Sequence, residues 1–361
     1  MTDIRKDEFS FDKVDEDPKG FFYAPPGYTD HTFKSSSGVE LGVRVWPAEN
    51  VVQDPAPIVF WTHGGGFLGG HHFVPLPWLT PGFRKCGYHL VSHNYRLAPQ
   101  AALDHQVADC IEAIEWCRKN LPSILGEGKA DVDRYVLVGE SAGGTLVTLM
   151  GLHLTSPPPR VIVNVYGLVD ISPFVNMPDR TPEPWRGKFT DEEVERFIND
   201  RGLNNVLTDA CCWNEQELFS EEELRKRWAA NIQYDKRFRL QAEAHQWRSV
   251  RALPGDIHKA FLHSDADEPV PIQQSYDMVA TLRERGVPVI ERYEEGEPHV
   301  FDIKYTDGRR PFNPSSTLLT NTSRLRVNKT KPTRWYLQMA DTIGSHRVIQ
   351  IMMNYECEQK F

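Results

Sequence analysis

The chain has 361 residues, 40% hydrophobic and 25% charged, with a formal net charge of -9. That is the composition of a soluble globular protein with room for one large α/β domain or two smaller ones, and its acidic balance argues against nucleic acid or an anionic membrane surface as partner. No apolar run is long enough to span a bilayer, and the stretch Met1 to Glu8 lacks the apolar core of a secretory signal.

The cysteines (Cys86, Cys110, Cys117, Cys211, Cys212, Cys357) form no metal knuckle and no regular disulfide framework. The expected location is therefore cytoplasmic, where the sequons at Asn321 and Asn328 carry no weight. Residues 1 to about 30 are polar, with Asp17-Pro18 and Pro25-Pro26-Gly27 as breakers, and read as an irregular arm. Val39 to Trp46 alternates in part, as a strand with one buried face does. Pro57 to Thr62 is a nearly continuous apolar run, the mark of a strand covered on both faces, and it ends in His63-Gly64-Gly65-Gly66-Phe67.

Tyr88 to Tyr95 is the next predicted strand, followed by the loop Arg96-Leu97-Ala98-Pro99. From Asp104 to Leu121, residues Val107, Cys110, Ile111, Ile114 and Cys117 share one helical face, and Pro122 is expected to mark the helix end. Tyr135 to Val138 is a buried strand, and Thr145 to Met150 opens a helix. Val161 to Tyr166, His258 to His263 and Val287 to Tyr293 are further strands, with a helix over Tyr276 to Arg285 before the last. Strands alternating with helices imply a parallel sheet wrapped on both faces.

Two segments break the rhythm. Residues 171–257 separate two sheet strands by far more than a normal connection. They hold two acidic helix starts, at Asp191 and Ser220, and four tryptophans, Trp185, Trp213, Trp228 and Trp247. Such an insertion reads as a cap over a pocket, with at least one tryptophan facing a ligand. The second segment is the tail after residue 304, where basic, Ser and Thr residues replace the apolar periodicity of the remainder.

Between the strand at 135–138 and the helix at 145–150 lies Gly139-Glu140-Ser141-Ala142-Gly143-Gly144. This G-x-S-x-G pattern sets a serine at the apex of a sharp strand-to-helix turn. A serine needs a base, itself oriented by an acid, to become a nucleophile. The required chain order is serine, acid, histidine, each after a strand. Downstream, His263 leads into Ser264-Asp265-Ala266-Asp267-Glu268-Pro269, and the last strand leads through Glu297-Pro298 into His299. His299 is the preferred base because it alone follows the final strand, with His263 its main rival. Asp267 and Asp265 compete as the acid; the turn at Glu268-Pro269 favours Asp267. Stabilisation of an oxyanion falls to the His63-Gly64-Gly65-Gly66 loop, with the N–H groups of Gly65, Gly66 and Ala142 as donors and His63 holding the loop. His71 and His72 lack the acidic or cysteine partners of a metal site, so no metal and no organic cofactor is expected.

Together, His63-Gly64-Gly65-Gly66-Phe67, Tyr95 to Pro99, Gly139 to Gly144, Asp267 and Pro298-His299-Val300-Phe301 resemble the hormone-sensitive-lipase-like family of α/β hydrolases. The resemblance runs from about residue 35 to 303. It implies an α/β-hydrolase fold, with a mostly parallel eight-stranded sheet, helices on both faces and a helical cap. The domains would be an arm over 1–35 contributing to the cap, a core over 36–170 and 258–303, a cap over 171–257 and an atypical tail over 304–361. It implies a carboxylesterase-type hydrolase acting on a small-molecule ester through Ser141, Asp267 and His299. The only further partner considered is a second copy of the chain, as a homodimer. Lactone, amide or acyl-transfer chemistry is the alternative. A receptor without catalysis is a further one, although plant gibberellin receptors, which resemble this family, lack the histidine. Two departures stand out: Glu140 where Asp is commoner, and a tail unlike the usual closing helix.

Overall fold

A computed structural model describes residues 24–51, 55–67, 69–98, 100–170, 190, 192 and 258–305. Most of the 171–257 insertion with its tryptophans, the tail beyond 305, and Cys211, Cys212 and Cys357 lie outside the described residues. Eight strands form one sheet: β1 Thr29–Lys34, β2 Glu40–Trp46, β3 Ala56–Thr62, β4 His89–His93, β5 Ala130–Glu140, β6 Val161–Val165, β7 His258–Ser264 and β8 Val289–Glu294. Their order is β1-β2-β4-β3-β5-β6-β7-β8. The first two pairings are antiparallel and the remaining five are parallel.

The strands carry the apolar patterns for a physical reason. In β3, Ile58 and Phe60 join one core cluster, and Val59 and Trp61 join another. Alternate side chains point to opposite faces, and both faces are covered, so the run is apolar throughout. Each such side chain, fully buried, contributes about 1.5–3 kcal/mol. The first cluster is completed by two helices, α1 Leu103–Leu125 and α2 Ala142–Met150. A third helix, α3 Gln273–Glu284, buries Met278, Val279 and Leu282 against Phe261 and Val287. Among the described residues no helix is long and apolar enough to cross a membrane.

Two expectations are corrected. Pro122 does not end α1; it sits inside a helix that runs to Leu125. A proline that close to the C-terminus removes only one hydrogen bond of the ladder. The packing of Ile124 and Leu125 against the core carries the helix through another turn. Residues 29–34, read as part of the arm, form edge strand β1, with Phe33 opposite Leu41.

Chain order reverses at β3. From it the chain crosses to β4 on one side, then returns to place β5 on the other. Such a switch point opens a crevice at the carboxyl ends of the two strands, where ligands bind in open α/β sheets. The glycine loop leaves β3 there, and Ser141 leaves β5 beside it.

Candidate active site

Ser141 caps the end of β5 with φ 52° and ψ -120°, a conformation costly for a residue with a Cβ. Its N–H donates to the Val165 carbonyl at 2.9 Å, which pins the turn to β6. The turn is held tight by contacts that only glycine permits. A Cβ on Gly143 would sit 2.0 Å from the Thr62 carbonyl oxygen.

The structure brings the three expected residues into one line. His299 Nε2 lies 3.0 Å from Ser141 Oγ, and His299 Nδ1 lies 2.7 Å from Asp267 Oδ2. These contacts join residues 158 apart in the chain. The Asp267 carboxyl is buried, which alone would raise its pKa. Hydrogen bonds from His263 and His299 outweigh that and hold it below its ordinary 3.8.

His263, the rival base, stands behind the acid. Its Nε2 is 3.3 Å from Asp267 Oδ2 and 2.8 Å from the Val270 carbonyl, to which it donates. Ser275 Oγ lies 2.7 Å from its Nδ1. A fully buried His263 facing the acid rather than the serine is a support for Asp267. Asp265, the rival acid, instead accepts the Gly296 N–H at 2.6 Å in an exposed turn.

The glycine loop packs against the elbow: a Cβ on Gly64 would lie 3.2 Å from Ser141 Cβ. Gly65 has φ 115° and Gly66 φ 62°. A Cβ on Gly65 would strike the Gly69 carbonyl at 2.1 Å, whereas one on Gly66 would meet nothing within 4 Å. Ala142 is the first residue of α2, where a helix's N–H groups have no intrahelical acceptor and its dipole favours negative charge. His63 stacks on Tyr95 with centroids 4.3 Å apart, and the Tyr95 hydroxyl donates to the His63 carbonyl at 2.9 Å. Burial pushes the His63 pKa well below 6.5, so it holds the loop as a neutral ring.

Glu140 was noted in the sequence only as a departure from Asp. It joins loop to elbow: Oε1 accepts the Gly64 N–H at 2.7 Å and Oε2 accepts Trp61 Nε1–H at 2.6 Å. Burial pushes its pKa up to about 8, against the lowering effect of those two donors. A carboxyl raised in the folded state adds stability that is complete below its unfolded pKa near 4.5 and is lost as pH rises through about 8. Glu140→Gln, which cannot ionise, should therefore gain on the wild type in urea denaturation between about pH 5 and about pH 9. A constant difference across that range would show the wild-type carboxyl to be ionised throughout.

Asp302 was missed altogether. It follows His299 by three residues within an apolar stretch, Val300-Phe301-Asp302-Ile303, and a lone acid in that setting was its only signal. Among the described residues no group of three or more His, Cys, Asp or Glu is placed to hold a metal ion.

A family model described as alpha/beta hydrolase fold matches residues 59–303. Among curated relatives, a non-reducing polyketide synthase of Acremonium egyptiacum is 33% identical over 147 residues, 39% of this chain and 7% of that protein. The versiconal hemiacetal acetate esterase of Dothistroma septosporum is 26% identical over 257 residues, 68% of this chain and 67% of the relative. The chain thus spans 7% of the length of the polyketide synthase. Among solved structures, an esterase of Pyrobaculum calidifontis matches with a TM-score of 0.55 at 20% identity, over 82% of this chain and 84% of that one. At that identity the likeness concerns the fold. With the family model covering the sheet from β3 to the loop after β8, this chain belongs to the hormone-sensitive-lipase-like family of alpha/beta hydrolases.

Proposed function

We propose that the chain is a serine hydrolase that cleaves carboxylic esters of a small molecule through an acyl-enzyme at Ser141. The observation that carries this reading is the continuous line Ser141–His299–Asp267, with contacts of 3.0 and 2.7 Å. Ser141 Oγ attacks the ester carbonyl carbon while His299 Nε2 takes its proton. The carbonyl oxygen becomes an oxyanion and accepts from the N–H groups of Gly65, Gly66 and Ala142. Asp267 keeps the Nδ1 proton facing itself, so that Nε2 is free to accept, and it stabilises the imidazolium. Collapse of the tetrahedral intermediate expels the alcohol, which takes the proton from His299. Water, deprotonated by the same nitrogen, then releases the acid.

The relative named for an acetate ester supports short acyl groups as the first to test. Lactone opening, amide cleavage and acyl transfer use the same acyl-enzyme and differ only in the bond attacked or the acceptor. A His299 bonded to Ser141 counts against a receptor without catalysis.

Release of p-nitrophenol from acetate and butyrate esters should fall by about 10⁴-fold or more in Ser141→Ala. A fluorophosphonate should modify Ser141 in the wild type. Wild-type turnover no higher than that of the alanine variant, or an adduct on another residue, would overturn the proposal.

A further inference from the structure

Three residues distant in sequence close a buried unit beneath the histidine. Asp302 lies in the 3-10 turn Phe301–Lys304, directly after the His299 loop. Its Oδ2 accepts Trp78 Nε1–H at 2.7 Å, and its Oδ1 accepts the Tyr166 hydroxyl. Trp78, Tyr166 and Asp302 are all buried. Tyr166 follows β6, and its N–H donates to the Leu262 carbonyl of β7 at 2.7 Å. Its ring stands edge-on to the His299 imidazole, centroids 4.7 Å apart and planes at 63°. Phe301 packs against the same ring at 5.7 Å.

This unit is poorly explained by stability alone. Among the described residues the hydrogen bonds to the Asp302 carboxyl come from the neutral Trp78 and Tyr166 groups, and a buried carboxyl served in that way costs more than an apolar residue of similar size would. Two non-glycine residues beside it hold left-handed backbone, Tyr166 at φ 40° and Val300 at φ 65°. Each such conformation costs on the order of 1–3 kcal/mol and persists where the surroundings over-determine it, typically at functional sites. What both achieve is to set the Tyr166 ring against His299 and to bring Asp302 back under it.

The histidine needs such a wall. Its ring plane is fixed by Asp267 at one nitrogen and Ser141 at the other. Once Ser141 Oγ is acylated, that second contact changes, and a single hydrogen bond leaves the ring free to swing about it. Resting on the esterase reading above, we infer that Tyr166, tethered by Asp302 and Trp78, is a positioning residue that holds the His299 imidazole in line through the whole cycle.

The test uses the full chain with Tyr166→Leu, Tyr166→Phe and Asp302→Asn. Turnover of p-nitrophenyl butyrate is normalised to sites titrated with a fluorophosphonate. Separately, proton NMR follows the downfield His299 Nδ1–H resonance, assigned by its loss in Asp267→Asn. Tyr166→Leu should lower kcat by about 100-fold with KM little changed, the scale expected of a small misplacement of a catalytic group. Asp302→Asn should lower kcat by roughly 10-fold by the same loosening, and both variants should broaden or lose the resonance. A structural role alone would lower the melting temperature and leave kcat per titrated site intact. If Tyr166→Leu does not fold, the near-isosteric Tyr166→Phe and Asp302→Asn decide. Unchanged kcat together with an unchanged resonance in the folded variants overturns the inference. If the wild type hydrolyses no ester, the esterase reading fails, and the resonance, which needs no substrate, still judges the brace.

Discussion

Asp267→Asn is expected to lower kcat by about 10⁴-fold while KM moves little. Asp267 Oδ1 accepts the Val270 N–H at 2.8 Å, and an asparagine keeps that bond with its own oxygen. Its NH2 must then face His299 Nδ1 from 2.7 Å, where the carboxylate oxygen now sits. A donor at that position forces Nδ1 to be the acceptor, so the proton moves to Nε2 and points at Ser141. The base then carries its proton on the wrong nitrogen. His263 Nε2–H, 3.3 Å away, would meet the same NH2. Steady-state kinetics on the acetate ester check this, with Asp265→Asn as the comparison. Asp265 serves an exposed turn, so its variant should stay near wild type; equal losses in the two would remove Asp267 from its assigned place. Because the Asp267 pKa is depressed, its stabilising share is present above about pH 3.8 and is lost only as pH falls through the lower folded value.

Gly143→Ala should be strongly destabilising for the addition of a single methyl group. The added Cβ would lie 2.0 Å from the Thr62 oxygen and 2.7 Å from the His63 oxygen. Both contacts are backbone, at the end of β3, and cannot rotate away. The elbow must separate from β3, which opens the switch point and shifts the glycine loop relative to Ser141. A cost of about 3 kcal/mol or more is expected, seen as a fall of several degrees in melting temperature or as insoluble protein. Gly128→Ala is the control: at φ 76° it has left-handed backbone but nothing within 4 Å. It should cost about 1–2 kcal/mol, the strain of that conformation alone. Similar melting curves for the two variants would show that close packing at Gly143 is not what holds the elbow.

The parts of the fold legible in the sequence were those in which burial leaves a pattern. Strands β3 and β6 and the Tyr135–Val138 part of β5 are largely apolar because both faces are covered, and Val107, Cys110, Ile114 and Cys117 mark the inner face of α1. Strand β1 left no such trace. It lies on the sheet edge, and of its six residues only Phe33 is buried; its other anchors, such as the Asp30 carboxylate held by Arg44 of β2, leave no periodicity in the sequence. The α1 terminus was misread because a proline's missing N–H matters less in the last turn than the packing beyond it. At the candidate site, Ser141, Asp267 and His299 were readable because each follows a strand in a fixed order. His263, Glu140 and Asp302 were not, because what they do depends on who faces them across the sheet. Glu140 meets Trp61 and Gly64 from a neighbouring strand, and Asp302 meets Trp78 across 224 positions of chain. Spacing along the chain does not encode such meetings.

The way the sheet gathers the site also bears on how this chain can be cut and rejoined. The glycine loop and Ser141 fall within residues 63–144, and Asp267, His299 and Asp302 fall within 267–302. In the proposed mechanism, one block holds the nucleophile with no base, the other the base and acid with nothing to activate. On that mechanism, a break between β6 and β7 would leave two silent halves. Their meeting would pair β6 and β7 in parallel register, Val161 opposite His258 through Val165 opposite Leu262, and rejoin Asp302 to Trp78 and Tyr166. On the proposed mechanism, the activity of a chain split there would report whether its two halves have met.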